Sequence, residues 1–273
     1  MTEHRTHRAV WISDTHLGTR GCKAELLLDF LQHVDPQYLF LVGDIVDGWR
    51  LTRSWYWAPS HSAIVQRVLT MARNGTEVVY IPGNHDETMR DYTGIQLAGV
   101  SVVAEYLHET ADGRHFLVIH GDQFDAVVKY AKWLALLGDW AYQGAIWANS
   151  WVNHARARLG YPYWSLSGYL KHKVKNAVEY ISRFEEAVAA EAKRRGAHGV
   201  ICGHIHHAEM RDIGGMLYCN DGDWVESCTA LVEHREGTLE ILVWPQARLS
   251  APRGRRARPA RDWPAAAERV AAE

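Results

Sequence analysis

Short apolar runs that stop at an acid, an asparagine or a histidine constrain this chain more than any other feature. Ala9–Ser13 stops at Asp14, Tyr38–Val42 at Gly43-Asp44, and Val78–Ile81 at Pro82-Gly83-Asn84. Between them, Lys23–Val34 carries Leu26, Leu27, Phe30 and Leu31 at helical spacing, and His61–Ala72 reads as a second helix. Strands that alternate with helices make β-α-β units and a largely parallel sheet. In open α/β sheets, ligands bind beyond the carboxyl ends of the strands. Asp14, Asp44 and Asn84 are therefore expected to converge from distant points of the sequence.

Further along, Val100–Val103, Tyr106–Thr110 and His115–Ile119 read as strands, the last running into His120-Gly121-Asp122. Residues from about 124 to 195 read as helical. Gly199–Cys202 resumes the strand pattern and runs into Gly203-His204-Ile205-His206. Met216–Asn220, Cys228–Glu233 and Leu239–Trp244 are expected to complete a second, mostly antiparallel set. The fold class expected is α/β, with two packed mixed β-sheets flanked by helices. It comprises one domain over residues 1–244, with a helical insertion (a cap) at about 124–195. From Pro245 onward Arg248, Arg253, Arg255, Arg256, Arg258 and Arg261 sit among Pro and Ala, which predicts a basic, disordered tail over 245–273.

Composition narrows the function classes. The chain is long enough for a buried core, and 47% hydrophobic with 23% charged residues is ordinary for a soluble globular protein. A net charge of -2 argues against a nucleic-acid partner. The four cysteines, Cys22, Cys202, Cys219 and Cys228, form no C-x-x-C pair, so a zinc knuckle is not expected and reduced thiols are. The opening MTEHRTHRAVWISD lacks the apolar core of a signal peptide, and no apolar run approaches the ~20 residues of a spanning helix. A cytoplasmic protein is expected.

Five motifs carry the chemistry: Asp14-x-His16, Gly43-Asp44-x-x-Asp47-Gly48, Gly83-Asn84-His85-Asp86, His120-Gly121-Asp122 and Gly203-His204-x-His206. Each alone is weak, since a lone Asp or His at a strand end is often a cap. Together they supply carboxylate, imidazole and amide donors, which suit Mn, Fe or Zn. Two such cations about 4 Å apart clamp a phosphoryl group and activate water.

This set resembles the calcineurin-like metallophosphoesterase superfamily, from about Ala9 to Trp244 apart from the helical stretch. The resemblance implies two divalent ions, Mn2+ in the first instance, with Fe or Zn as alternatives. It implies Asp14, His16 and His206 on the first ion, Asn84, His120 and His204 on the second, and Asp44 on both. It also implies catalytic roles for His85, which would stabilise the transition state or protonate the leaving oxygen, and for Asp86, which would orient its imidazole. Asp47 and Asp122 read as hydrogen-bond acceptors beside ligands, and His207 as exposed.

Trp133, Leu137, Trp140, Gly144, Trp147 and Trp151 are spaced by three or four, followed by Arg156, Arg158, Lys171, Lys173 and Lys175. Such a stripe is commonly core packing. Beside cationic residues it also suits a substrate with acyl chains and phosphates, or a membrane surface. The segments VWISDTHLGTRGCKAELLLDFL and LVGDIVDGW, with the helical insertion, resemble UDP-2,3-diacylglucosamine diphosphatase and its relatives in lipid A synthesis of Gram-negative bacteria. That resemblance implies a lipid-linked nucleotide-sugar substrate cleaved to the lipid monophosphate and UMP, and a place peripheral to the inner membrane. Trp140, Lys171 and Lys175 would touch the substrate. His85 stands where the best-known members carry Arg, so another phospholipid, a nucleotide or a phosphoprotein remains an alternative substrate. A non-catalytic binding module is a third reading, opposed by the seven intact ligand positions.

Overall fold

A computed structural model describes residues 7–124 and 167–244, with side chains over 7–124 and 180–244. Two sheets face each other. The first holds seven strands in the order β12-β11-β1-β2-β3-β5-β4, and the second five in the order β6-β7-β8-β10-β9. The strands are β1 (Ala9–Ile12), β2 (Tyr38–Val42), β3 (Glu77–Ile81), β4 (Gln96–Leu97), β5 (Val100–Val102), β6 (Tyr106–Glu109), β7 (His115–Val118), β8 (Gly199–Cys202), β9 (Glu209–Ile213), β10 (Met216–Asn220), β11 (Thr229–Glu233) and β12 (Leu239–Val243). Helices α1 (Ala24–His33), α2 (Gly48–Arg53), α3 (Pro59–Arg73) and α4 (Ser167–Arg194) accompany them.

The central strands are apolar on both faces because both faces are covered. Ala9, Trp11, Phe40, Val42, Val79 and Ile81 point between the sheets and meet Phe116, Val118, Ile201 and Cys219. Trp11 stacks on Phe40, ring centroids 5.3 Å apart. One residue on, Val10, Ile12, Leu39, Leu41 and Val78 point outward onto Leu27, Phe30 and Leu31 of α1 and Ile64, Val68 and Met71 of α3. On the far side, Leu117, Ile119, Val200 and Tyr218 receive Phe184, Val188, Ala189 and Ala192 of α4. Each large aliphatic or aromatic side chain among them contributes about 1.5–3 kcal/mol on burial. The end of α4 therefore forms the outer layer of the second sheet, inside the stretch expected to be an insertion. The rest of that stretch, with the Trp133–Trp151 stripe and Trp140, lies outside the described residues, as does the tail.

One expectation is corrected. The runs ending at Glu233 and Trp244 do not join the second sheet. β11 pairs antiparallel with β1, placing Ala9 opposite Glu233, and β12 pairs with β11. The free edge of β1 accepts β11, whose five residues are all buried. The second sheet instead takes β9, a strand too polar to read from its sequence.

At the end of β1 away from Asp14, Glu233 joins the two sheets. Its carboxylate accepts from Arg8 at 2.8 and 2.9 Å, from the Ala111 N–H at 2.7 Å, and faces His108 Nε2 of β6 at 2.7 Å. Burial pushes this carboxyl up, but the bonds from His108 and Ala111 and the charges of His108 and Arg8 outweigh it and hold it below 4.5. A depressed carboxyl contributes stability above the unfolded value of 4.5, which is lost as pH falls through the folded one. Glu233→Gln is expected to cost about 3 kcal/mol at neutral pH. It should also flatten the acid limb of a melting-temperature profile against pH.

Candidate metal centre

The carboxyl ends of β1, β2, β3, β7 and β8 meet at one rim. Asp14 and His16 follow β1, Asp44 follows β2, Asn84 follows β3, His120 follows β7, and His204 and His206 follow β8. The loops are tied directly: the Asp14 N–H donates to the Gly43 carbonyl (3.1 Å), the His16 N–H to Asp44 (2.9 Å), and the Gly203 N–H to His120 (3.2 Å). Five of the seven candidate ligands are left-handed: Asp14 (φ 50°), His16 (48°), Asp44 (53°), His204 (71°) and His206 (53°). Such a backbone in a non-glycine residue costs energy and persists only where the surroundings impose it. Here it curls the loop after β1 so that Asp14 and His16 face one point, and the loop after β8 so that His204 and His206 face two different groups.

Two groups of donors result. Asp14 Oδ1 lies 3.1 Å from His206 Nε2 and 4.0 Å from His16 Nε2, and the two Nε2 atoms are 3.4 Å apart. In the second group Asp44 Oδ1 lies 3.5 Å from His120 Nε2, and the rings of His120 and His204 are 5.1 Å apart. Within each group the candidate ligand atoms all lie within 4.8 Å of one another. A Cβ on Gly43 would overlap the His120 ring, and one on Gly83 would overlap Asp44 Oδ1, so both positions need glycine for close approach.

The fit to cations is decided by orphaned atoms. Asp14 Oδ1, Asn84 Oδ1 and His120 Nε2 are buried with no hydrogen-bond partner among the described residues. Each such atom costs about 1–3 kcal/mol unless something supplies the missing interaction. His120 Nδ1 lies 2.8 Å from the Val42 carbonyl and must donate to it, which leaves Nε2 as the ligating nitrogen. Imidazole, carboxylate and amide oxygen fit divalent cations of the Mn, Fe and Zn kind.

Residues 7–208 match the Calcineurin-like phosphoesterase family. The chain belongs to this family. It is a metal-dependent hydrolase family, typically dinuclear, and the donor groups are candidates to hold its ions. No curated protein matches the chain. Among solved structures it is similar to a Vps29 mutant from Entamoeba histolytica (14% identity, 86% of this chain and 97% of that one, TM-score 0.40). It is also similar to an archaeal phosphodiesterase (12%, 86% and 98%, 0.41) and to a phosphopantetheinyl hydrolase from Mycobacterium tuberculosis (16%, 81% and 91%, 0.40). Likeness at this level decides nothing about substrate.

The electrostatics of the centre follow from burial against pairing. Burial raises the Asp14 and Asp44 carboxyls, but hydrogen bonds and charges of the facing histidines outweigh it and hold both below the usual range. Burial lowers His120, while Asp44, facing its Nε2 at 3.5 Å, and the charges of Asp14 and Asp122 raise it to about 10. Without metal, the charged ring therefore adds stability that is complete below 6.5 and fades as pH rises through about 10. A cation needs the Nε2 lone pair and must displace that proton. Mn2+ affinity is expected to rise with pH between 6.5 and about 10, with proton release seen as a buffer-dependent calorimetric enthalpy. Flat affinity over that range contradicts the assignment of His120.

The role expected of Asp86 is corrected. Its carboxylate does not reach His85. It accepts from the N–H groups of Gly83 (2.6 Å), Ile45 (2.8 Å), Asp44 (3.3 Å) and Val46 (3.4 Å), and from the Tyr80 hydroxyl. At the turn after β3, Asp86 folds back onto its own loop, and the next residue toward β3 turns the other way. His85 is oriented instead by Asp47, whose Oδ1 lies 3.1 Å from His85 Nδ1 and whose Oδ2 lies 3.3 Å from His16 Nδ1. The same Oδ1 caps α2 by accepting from the Arg50 N–H at 2.8 Å. Trp49, about half exposed, packs on the His85 ring at 4.4 Å, a neighbour the sequence reading passed over. Asp122 takes Arg90 at 2.6 Å, and His207 is exposed. Lys171 and Lys175 lie on α4, where side chains are outside the described residues.

Proposed function

We propose that this phosphoesterase is a dinuclear-metal hydrolase that cleaves the pyrophosphate of UDP-2,3-diacylglucosamine to the lipid monophosphate and UMP. The observation that carries the hydrolase is the pair of donor groups, Asp14/His16/His206 and Asp44/His120/His204, in which Asp14 Oδ1 and His120 Nε2 are orphaned. The substrate rests on the resemblance of the segments around Asp14 and Asp44. Asp14, His16 and His206 would hold one cation, Asn84, His120 and His204 the other, and Asp44 both. When bound, the cations polarise the phosphoryl oxygens and lower the pKa of water.

The chain's own residues supply the rest. With Nδ1 turned to Asp47, His85 keeps Nε2 for the phosphoryl group and can give a proton there to the leaving oxygen. Asp47 fixes the tautomer of His85 and of His16 together. Trp49 limits the swing of the His85 ring. His85→Ala is expected to lower kcat about 10²-fold with Mn content unchanged. Asp47→Asn should lower kcat or metal affinity about 10- to 100-fold, because two imidazoles lose their acceptor. Steady-state kinetics with metal analysis checks both.

The acyl chains of such a substrate would place the protein at the inner face of the cytoplasmic membrane as a peripheral enzyme. No helix among the described residues is long and apolar enough to cross a membrane. His85 in place of Arg favours a second reading, a different phospholipid, nucleotide or phosphoprotein substrate. Incubation with Mn2+ and UDP-2,3-diacylglucosamine in detergent is expected to release UMP. No UMP beside good turnover of bis(p-nitrophenyl) phosphate would remove this substrate and leave the second reading.

A further inference from the structure

Just after β10 runs Asn220-Asp221-Gly222-Asp223-Trp224, a tract that supplies none of the seven candidate ligands. Asn220, Asp221, Asp223 and Trp224 are nonetheless fully buried. Polar groups this deep are retained where they satisfy one another. Asp223 caps the following turn at Val225–Ser227, while Asn220, Asp221 and Trp224 reach the two loops that carry the first donor group.

Ser13 Oγ lies 2.6 Å from Asp221 Oδ1 and 2.5 Å from Asp14 Oδ2. A hydroxyl has one proton to give, so one of these bonds takes its proton from a carboxyl. Asp221, which burial pushes upward, is the group that keeps it. The chain of donation then runs from Asp221 to Ser13 to Asp14 Oδ2. The His204 N–H donates to the same Oδ2 at 2.8 Å. With Oδ2 fully engaged, Asp14 Oδ1 is left orphaned, facing His206 and His16. Other members of the tract fix the same loops. Asn220 Nδ2 donates to the Gly203 carbonyl at 2.7 Å, and the Trp224 N–H donates to the Asp14 carbonyl at 3.2 Å. A Cβ on Gly203 would come within 2.6 Å of Asp14 Oδ2, so the loops are held in close apposition.

We propose that Asp221, acting through Ser13, is a positioning residue that divides the two oxygens of Asp14, one for the fold and one for the first cation. The proposal rests on the dinuclear-metal reading above. Hydrogen-bonded partners of a metal ligand typically change affinity 10- to 100-fold when removed. Asn at 221 can donate through its amide where the acid donates through its hydroxyl, so Asp221→Asn preserves the arrangement and Asp221→Leu destroys it. Ser13→Ala breaks the link at its middle.

Mn2+ binding to the full chain is measured by calorimetry, with melting in EDTA as the check on folding. Wild type is expected to bind two Mn2+. In Asp221→Leu and Ser13→Ala one of the two sites should weaken about 10- to 100-fold while the other keeps its affinity. Asp221→Asn should stay close to wild type at both sites. If Asp221→Leu does not fold, Ser13→Ala and Asp221→Asn decide. Wild-type affinity at both sites in Ser13→Ala, or an equal loss in Asp221→Asn, overturns the proposal. A wild-type protein that binds no Mn2+ overturns the dinuclear reading itself, a distinguishable failure.

Discussion

Replacing Asp44 by Ala is expected to lower kcat by about 10³-fold or more. Its carboxylate accepts the His85 N–H at 2.8 Å, faces His120 at 3.5 Å, and its backbone carbonyl accepts the His16 N–H at 2.9 Å. Under the dinuclear reading it is the side chain expected to join the two donor groups. Cations at such a site supply several kcal/mol of charge stabilisation, and about 4 kcal/mol is a thousandfold in rate. The same variant should lose most of the difference between its melting temperature in Mn2+ and in EDTA, because that difference measures binding to the folded state. The metal-free protein should also lose stability, because buried His120 and the His85 N–H lose the carboxylate they face, so the Mn2+-minus-EDTA difference and not either melting temperature alone reports the cation. A variant that keeps both its turnover and its Mn2+-dependent stabilisation would show that Asp44 holds no cation.

Asp86→Ala is expected to be the most destabilising single change near the centre, by about 5 kcal/mol, since each buried donor left unpaired costs about 1–3 kcal/mol. The two short bonds, from Gly83 and Ile45, and the Tyr80 hydroxyl would all be stranded. This is a large share of the 5–15 kcal/mol that holds a typical domain together. Asp86 ties the loop of Asp44 to the loop of Asn84, so metal affinity should fall with stability. Tyr80→Phe removes one donor while Asp86 Oδ2 keeps the Ile45 and Val46 N–H groups, and should cost only about 1 kcal/mol. Urea unfolding in EDTA distinguishes the two accounts of Asp86. A loss confined to kcat, with the unfolding midpoint unchanged, would return Asp86 to a role on His85.

The strands that build the rim were legible because each apolar run is buried on both faces and breaks at an acid, amide or imidazole. Asp14, Asp44, Asn84, His120, His204 and His206 all sit at such breaks. What the sequence could not carry was direction. Adjacency of His85 and Asp86 suggested a pair, yet hydrogen bonds from the 43–46 loop claim Asp86, and Asp47, far from His85 in sequence, takes its place. The left-handed backbone at Asp14, His16, Asp44, His204 and His206 is imposed by contacts between loops, so no local pattern announces it. Likewise, periodicity identifies β11 and β12 as strands but not the sheet edge they join. β9 and α2 are too short and too polar to stand out. Asp221 was visible only as part of an acidic tract, since its partner Ser13 lies at the other end of the chain.

Two cations are expected side by side at this rim. Crystals of the Mn2+-loaded protein, measured at the Mn absorption edge, test it directly. Two anomalous peaks about 4 Å apart are expected, one against Asp14, His16 and His206 and the other against Asn84, His120 and His204, with Asp44 touching both. A single peak, or two peaks with Asp44 beyond reach of one of them, would contradict it.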